Sequence, residues 1–249
     1  MLSRPLAAIA LLIGVAAQAQ PVTFSETATL TSDYRFRGIS QSDANPAVQG
    51  SIEASLNSGV YAGVWASTVS GTQLAGAAAE VDGYLGYRGR HAQLGYDVGV
   101  QYYTYPGSAA GSHLGYAEPY ASANITVPKL STNLKLGAAF APKQGLAQRA
   151  NLYGYGEMAQ PVPTTPITLR AHLGYTRSGG QSAAPRSADT GNYLDYAVGV
   201  DYVWHRVTMN VTYLGTDISA ARAAAYPFAV VDGHTNTKGR VVFSISSSF

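Results

Sequence analysis

Cysteine is absent from this 249-residue chain, and charged residues make up only 12% of it, about half the ~25% that is usual in globular proteins. The lack of cysteine excludes disulfide scaffolds, thiol catalysis and cysteine-ligated metal sites. A formal net charge of +2 lacks the basic excess of nucleic-acid-binding proteins, so we expect no nucleic-acid partner. The sequence also has no HExxH, EF-hand or Walker motif, and we expect no metal and no cofactor.

Glycine and tyrosine are abundant instead, with 27 and 18 copies. This composition favours strands and turns over helices, and the length suits one large all-β domain. The N-terminus predicts a secretory signal peptide, because Arg4 precedes an apolar stretch from Leu6 to Val15 and Ala17-Gln18-Ala19 forms an A-x-A cleavage site. We therefore expect export, removal of residues 1–19, and a single domain over residues 20–249.

Alternation of apolar and polar residues dominates the rest of the chain and predicts strands. In residues 166–176, apolar side chains occupy the odd positions, while threonine, arginine and histidine fill most of the even ones. One strand is ambiguous, because Tyr61 and Trp65 share one face while Val60 and Val64 share the other. The pattern predicts twelve strands at 26–37, 46–56, 60–69, 80–88, 92–103, 116–127, 132–141, 150–159, 166–176, 193–203, 207–216 and 238–249.

Charge placement and connection lengths indicate a membrane barrel rather than a soluble β-protein. On the apolar faces only Glu26, at the edge of the first strand, is charged. Long and short connections alternate along the chain, as in outer-membrane barrels, and strands of about ten residues match the ~9–11 that a tilted strand needs to cross a bilayer. Aromatic residues assigned to the apolar faces are expected at the membrane interfaces: Tyr34, Phe36, Tyr87, Tyr102, Tyr175, Tyr196, Tyr202 and Phe243.

These observations predict an antiparallel transmembrane β-barrel of about twelve strands in the outer membrane of a Gram-negative cell, with short periplasmic turns and longer extracellular loops. The alternative is a soluble β-protein that buries the same tyrosines in its core. Glycine–tyrosine pairs such as Gly83-Tyr84 and Gly174-Tyr175 have two interpretations: platforms for sugars, or places where glycine leaves room for a neighbouring ring. We expect the second.

Two long sequence blocks are distinctive, SDYRFRGISQSDANPAVQG (32–50) and GVYAGVWAS (59–67), and shorter ones follow at EVDGYLGY (80–87), YDVGVQYYTYPGS (96–108), YLDYAVGVDY (193–202) and TYLGTD (212–217). Together these blocks resemble the TorF-like family of proposed outer-membrane porins. The resemblance implies an outer-membrane barrel with a pore function, without a defined substrate or catalytic residues. The final Phe249 resembles the terminal aromatic residue of outer-membrane barrels, which implies the barrel assembly machinery as a partner.

The predicted function is passive diffusion of small hydrophilic solutes through a narrow polar lumen. Twelve strands leave more interior space than eight and less than sixteen. A closed structural or adhesive barrel is the alternative, and an outer-membrane lipid hydrolase is a third. Nucleophilic catalysis needs a serine near a histidine, and no histidine is expected on a lipid-facing strand position next to a serine, so we expect no enzyme. Outer-membrane lipid and lipopolysaccharide are the remaining expected partners.

Strand direction assigns the lumen-facing charges to two walls near the outer end. The basic wall joins the end of the first strand to the start of the twelfth and consists of Arg35, Arg37, Lys238 and Arg240. The acidic wall, on the fourth to sixth strands across the ring, consists of Glu80, Asp82, Asp97 and Glu118. We predict a transverse field that orients dipolar or zwitterionic solutes.

The alternative is local ion pairing, in which Asp33 and Glu53 neutralise the arginines. A turn at Gly89-Arg90 would place Asp82 opposite Asp97, which is unfavourable without a screening cation or solvent. The loops at 177–192 and 217–237 leave two placements open: folded into the lumen as a plug, or lying against lipid headgroups.

Overall fold

Twelve long strands form one closed antiparallel barrel in which each strand pairs with its neighbours in sequence and the first pairs with the last. The computed structural model describes residues 21–144, 150–178, 192–223, 230–231 and 234–249. The predicted signal peptide and most of the predicted plug loop at 177–192 lie outside the described residues, as do residues 224–229 and 232–233 of the loop at 217–237. The strands are β1 (Val22–Thr31), β2 (Ala47–Leu56), β3 (Val60–Thr68), β4 (Ala79–His91), β5 (Leu94–Thr104), β6 (Tyr116–Val127), β7 (Thr132–Ala141), β8 (Asn151–Pro161), β9 (Ile167–Ser178), β10 (Asn192–Trp204), β11 (Val207–Thr216) and β12 (Arg240–Ser248).

The connections between the strands distinguish the two ends of the barrel. Tight turns such as residues 57–59 and 205–206 lie at one end, here the turn end, and longer connections such as 32–46 and 217–239 lie at the other, the loop end. Outside the barrel, the helices and strands of the described residues are two hairpins and one short helix. The hairpins have two-residue strands and pair Arg35–Phe36 with Ile39–Ser40 and Val230–Val231 with His234–Thr235, and the helix is Ala220–Ala223. No described helix is both long and apolar enough to cross a membrane.

The outside of the barrel is covered by apolar side chains at every second strand position. Leu136 is 71% exposed and Phe24 62% exposed. In β3 the ambiguity is resolved, because Val64 is exposed and Tyr61 is 2% exposed, so the aromatic face lines the lumen. An apolar exterior that the described residues leave exposed is what a bilayer would cover.

Two details of the predicted strands are wrong. The first strand ends at Thr31 and does not continue to residue 37. The turn expected at Gly89-Arg90 lies at residues 92–93, because Ala92 adopts a positive φ of 51° and β4 continues to His91. The expectation that Glu26 is the only charge on the outward faces also fails at β9. This strand continues to Ser178 and so places the exposed Arg177 on the outward face at the loop end.

Tyrosine rings of the inner wall lie against glycines of the adjacent strand. Tyr61 stands opposite Gly86 and Tyr84 opposite Gly63, and a Cβ on either glycine would overlap the phenol. The same relation joins Tyr120 to Gly99 and Tyr155 to Gly137. The expectation that glycine leaves room for a neighbouring ring therefore holds at these positions and at Gly174, which lies against Tyr153, but it is wrong for Gly83, where no atom would lie within 4 Å of a Cβ.

The apolar exterior leads to a stability prediction. Leu136→Arg places a cation at the centre of the outward face of β7, and this should lower the free energy of unfolding in lipid vesicles by about 2–4 kcal/mol. The matched change Ser122→Arg on the lumen face of β6 should cost much less, because that side chain points toward polar groups and lies opposite Asp97. Denaturant titration of the vesicle-embedded protein measures both, and equal losses would contradict the assigned faces.

Candidate functional site

Residues 32–46, here the inserted segment, leave the barrel wall after Thr31 and fold into the loop end of the lumen. The segment contacts lumen-facing side chains around much of the ring. Tyr34 packs on Trp65 of β3 with ring centroids 5.3 Å apart, and its hydroxyl donates to Glu80 of β4 at 3.0 Å. Phe36 packs edge-on against Tyr103 of β5 at 5.7 Å. The segment therefore occupies the lumen rather than lying over the rim.

A type I′ hairpin forms the innermost part of the segment. Arg35–Phe36 pairs with Ile39–Ser40, and the two turn residues Arg37 and Gly38 have φ angles of 49° and 78°. Positive φ at both central residues is the mark of this turn, and glycine is favoured there. A Cβ at Gly38 would lie 2.6 Å from the methyl group of Thr216 on β11, so the turn needs glycine for its close approach to the wall as well.

The carboxylate of Asp33 holds the hairpin together. It accepts hydrogen bonds from Ser40 Oγ at 2.6 Å and Ser42 Oγ at 3.3 Å, and it forms an ion pair with Arg35 Nε at 2.7 Å. Arg35 Nη1 in turn donates to the carbonyl oxygens of Gly38 at 2.9 Å and of Lys238 at 2.8 Å. Arg35 therefore stabilises the hairpin and joins it to the residues before β12.

Arg37 connects the hairpin to the far side of the lumen. Its Nη2 lies 2.6 Å from Glu118 Oε2 of β6, and its guanidinium stacks 4.1 Å over the ring of Tyr153 of β8. Tyr103 donates a second hydrogen bond to the same Glu118 oxygen at 3.1 Å. Burial alone would lower the pKa of Arg37, but the Glu118 carboxylate more than offsets this and holds that pKa above its usual value. The guanidinium stays charged, and its ion pair with Glu118 links the hairpin to the far wall of the lumen.

Residues of two other loops cover the inserted segment from the loop end. Ser40 N donates to the carbonyl of Asn236 at 3.0 Å, and Gln73 Nε2 donates to the carbonyl of Ser40 at 3.3 Å. Asn236 Nδ2 donates to Asp43 at 3.2 Å. Asn236 and Thr237 are 1% and 0% exposed. Segments near 40, 73 and 236 thus form one hydrogen-bonded cap.

The structure brings together members of the two predicted charge walls that were expected to face each other across the pore. Arg37 of the basic set contacts Glu118 of the acidic set, while Arg35 is paired with Asp33. Both arginines belong to the inserted segment and not to the end of β1. The predicted neutralisation of Arg35 by Asp33 is present.

The other members of the basic wall lie at the loop end of β12. Lys238 and Arg240 are exposed, and Arg240 Nη1 donates to the carbonyl of Ala44 in the inserted segment at 3.3 Å. Tyr34 and Phe36, expected at the lipid interface, instead lie among lumen residues. Alternation alone cannot separate a short inserted hairpin from the continuation of a strand. The Arg37-Gly38 pair is the sequence signal that indicates the turn.

The acidic residues of β4 are buried beneath the inserted segment. Glu80 is 2% exposed and accepts hydrogen bonds from the phenols of Tyr34 at 3.0 Å and Tyr105 at 3.3 Å. Burial, with the nearby Glu80 carboxylate, raises the pKa of Tyr34 well above its usual range, so the phenol remains a donor. Asp82 is 1% exposed and accepts from Gln101 Nε2 at 2.7 Å.

The predicted pairing of Asp82 with Asp97 is wrong. Asp82 stands opposite Tyr103, and Asp97 stands opposite Arg88, because the turn lies three residues beyond Gly89. Asp97 accepts a hydrogen bond from Tyr61 and lies nearer the turn end, away from the inserted segment. The predicted repulsion between the two aspartates is therefore absent.

Below the inserted segment, polar side chains continue along the wall formed by β7 to β11. The hydroxyl oxygen of Tyr153 lies 3.0 Å from His172 Nε2, and the same nitrogen lies 2.8 Å from Asp195 Oδ1. A cavity of about 210 Å³ follows toward the turn end and is lined by residues that include Asn133, Glu157, Arg170, His172 and Thr212. The strand pattern predicted His172 and Arg170 to face the lumen, but not this cavity. Among the described residues, no group of three or more His, Cys, Asp or Glu could hold a metal ion.

Comparisons with known proteins agree with this architecture. A family model described as a bacterial protein of unknown function, Gcw_chp, matches residues 15–249. The NanC porin has a similar structure, with a TM-score of 0.57 and 12% identity over 91% of this chain and 99% of that one. The COG4313 outer membrane channel from Pseudomonas putida F1 gives a TM-score of 0.53 and 11% identity over 93% and 97% of the two chains. No curated protein matches in sequence. At these identities the likeness shows the fold, a closed barrel of the porin and channel type.

The Arg37–Glu118 pair leads to a prediction about the inserted segment. Arg37→Met leaves a buried carboxylate without its cation, and removing one partner of a buried pair costs about 3–5 kcal/mol. We expect faster amide hydrogen exchange in residues 33–42 while the barrel strands remain protected. The double change Arg37→Met with Glu118→Gln should cost less than Arg37→Met alone, because no unpaired charge remains.

Arg90→Met is the control for this prediction, since Arg90 is exposed at the turn end. Its exchange pattern in residues 33–42 should equal that of the unchanged protein. If Arg37→Met also left the exchange of this segment unchanged, the ion pair would not hold the segment in the lumen.

Proposed function

We propose that this chain, which belongs to the Gcw_chp family of bacterial proteins, is an outer-membrane channel for the passive diffusion of small hydrophilic solutes. One observation carries the proposal: a closed barrel with an apolar exterior encloses a lumen lined by charged and polar side chains, with a cavity below the inserted segment. A barrel that served only as a rigid anchor would have no need of a polar cavity at that depth.

Related folds support the proposal. The two similar structures are described as a porin and as an outer membrane channel. The sequence blocks that resemble the TorF-like porins include the whole inserted segment, so the resemblance covers the residues that lie in the lumen. Channels of this type catalyse no reaction, and we assign none to this chain.

The proposed location is the outer membrane of a Gram-negative cell, reached by export with the signal peptide of residues 1–19. In this orientation the loop end is extracellular and the turn end periplasmic. The apolar exterior would contact outer-membrane lipid and, on the outer leaflet, lipopolysaccharide. Phe249, which is 68% exposed, would be available to the barrel assembly machinery during insertion.

The inserted segment makes this a restricted channel. Its contacts with β3, β4, β5, β6 and β8 place it across the loop end of the lumen, and we propose that solute passage requires the segment to shift. The ion pair of Arg37 with Glu118 and the hydrogen bond from Arg35 to the Lys238 carbonyl oppose such a shift, and their loss would favour it. When the segment moves, Glu80, Asp82 and Glu118 become exposed on one side of the mouth, opposite Lys238 and Arg240. The transverse field is therefore proposed for the open state, with Arg35 and Arg37 displaced.

A closed structural barrel is the second candidate, and the same segment favours it. Asp33, Ser40 and Ser42 are all at most 5% exposed, which is the burial expected of a permanent part of the core. The two candidates differ in whether the segment ever leaves the lumen.

Planar-bilayer recording tests the channel directly. We expect small, reproducible single-channel steps from the unchanged protein, and longer or larger openings from Arg37→Met or Glu118→Gln, because each change removes the pair that spans the lumen. Persistent silence from all three folded proteins would support the closed barrel and contradict the channel.

Ion selectivity tests the charges of the two predicted walls. Neutralising Arg35, Arg37, Lys238 and Arg240 should shift the reversal potential in a salt gradient toward cation selectivity. Neutralising Glu80, Asp82, Asp97 and Glu118 should shift it toward anion selectivity. Unchanged reversal potentials in both sets of variants would exclude a role of these residues in selectivity.

A further inference from the structure

The cavity below the inserted segment has one arginine with unused donors. Arg170 lies on the lumen face of β9 between Ala159 of β8 and Gly199 of β10. Because these two neighbours have almost no side chain, space remains around the guanidinium, and the Arg170 side chain is 56% exposed. The guanidinium of Arg170 therefore lines the cavity and is accessible from it.

A carboxylate fixes the orientation of that guanidinium. Arg170 Nε donates to Asp201, which is 4% exposed and also accepts from Asn210 Nδ2 at 2.6 Å. Neither terminal nitrogen of Arg170 has a hydrogen-bond partner within the described part of the chain. An oriented guanidinium whose two terminal nitrogens are free to donate fits a carboxylate group in bidentate geometry.

Glu157 supplies the opposite charge in the same cavity. It lies on β8 two residues before Ala159, and so diagonally across from Arg170, about 7–8 Å away between Cα atoms. Its oxygens are 3.6 Å from Lys135 Nζ and 3.5 Å from His172 Nδ1. Both distances exceed the ~2.7–2.9 Å of a charge-assisted hydrogen bond, so Glu157 can accept another donor. Its side chain is 43% exposed.

The charges around the cavity decide between classes of ligand. Lys135 and Arg170 are cationic, and Glu157, Asp195 and Asp201 are anionic, with His172 between Glu157 and Asp195. This set has no positive excess that would concentrate simple anions. It does present Arg170, a cation oriented by the buried Asp201, and Glu157, an anion with unused hydrogen-bonding capacity, at diagonal positions on neighbouring strands.

We propose that this cavity is a binding site for a small zwitterion of the α-amino acid class, with the carboxylate on Arg170 and the ammonium group on Glu157. This inference rests on the proposed channel function and names a class of solute for it. A cavity of about 210 Å³ is smaller than the ~300–1,000 Å³ of sites for drug-sized ligands, so the solute is small. Only two charged contacts hold it, which suits a channel, because a conducted solute must also leave.

Uptake into proteoliposomes tests the site with three solutes of nearly equal size. L-alanine is the zwitterion, lactate the anion and lactamide the neutral molecule, each isotopically labelled and used at low concentration. Arg170→Gln and Glu157→Gln should each reduce the ratio of alanine to lactamide uptake by about 3- to 10-fold, the effect of losing one charged contact. Lactate uptake relative to lactamide should stay low in the unchanged protein.

Arg88→Gln is the matched control. Arg88 also faces the turn end of the lumen, but both of its terminal nitrogens are bound by Glu53, at 2.9 and 3.0 Å. Its substitution should leave the ratio of alanine to lactamide uptake unchanged. An unchanged ratio in Arg170→Gln, or a loss in Arg170→Gln that Glu157→Gln does not share, would overturn the zwitterion site.

Failure of the channel can be distinguished from failure of the site. If none of the three solutes enters vesicles with the unchanged protein, the proposed function is wrong and the site is tested by calorimetric titration of L-alanine into the detergent-solubilised barrel. Binding that Arg170→Gln and Glu157→Gln weaken, and that Arg88→Gln leaves intact, supports the site. Absence of any alanine binding overturns it.

Discussion

Closure of the backbone hydrogen-bond ladder is the constraint on which the rest of this molecule depends. In a bilayer every backbone N–H and C=O needs a partner within the protein, and pairing of β1 with β12 removes the open edges of the sheet. Closure makes every second residue face lipid and the others face an enclosed space. Within the described strands, charge is therefore confined almost entirely to the lumen, where charged residues of different strands contact one another, such as Arg88 of β4 and Glu53 of β2.

The inserted segment binds to the charged side chains that the barrel encloses. A segment that leaves the wall after Thr31 meets a ring of carboxylates and tyrosines, and it carries its own cations to them. Arg35 neutralises Asp33 within the segment, while Arg37 crosses to Glu118. These contacts are buried, so the loss of one partner is costly, because it leaves an uncompensated charge inside the protein. The same property suits the proposed restricted channel, since the Arg37–Glu118 pair holds the segment in the loop end of the lumen.

Much of the fold could be predicted from the sequence because strand alternation and lipid exposure act locally. The strand number, the apolar faces and the alternation of long and short connections follow from these two effects. The end of β1 could not, because Tyr34 and Phe36 continue the alternation into a hairpin that lies in the lumen. The position of the β4–β5 turn depends on a positive φ at Ala92 and not on the nearby Gly89. The contact of Arg37 with Glu118 joins residues 81 positions apart, and only the closed barrel brings them together.

The central claim is that the inserted segment occupies the lumen and must move for solutes to pass. Because the chain has no cysteine, the pair Phe36→Cys and Tyr103→Cys can be joined selectively by a short bifunctional methanethiosulfonate reagent, which fills the space left by two rings whose centroids lie 5.7 Å apart. Single-channel recording of this variant before and after cleavage of the cross-link by a reductant tests the claim most directly. The account predicts that the cross-linked barrel is silent and that the reductant restores the conductance steps. Equal conductance in the cross-linked and reduced protein would contradict it.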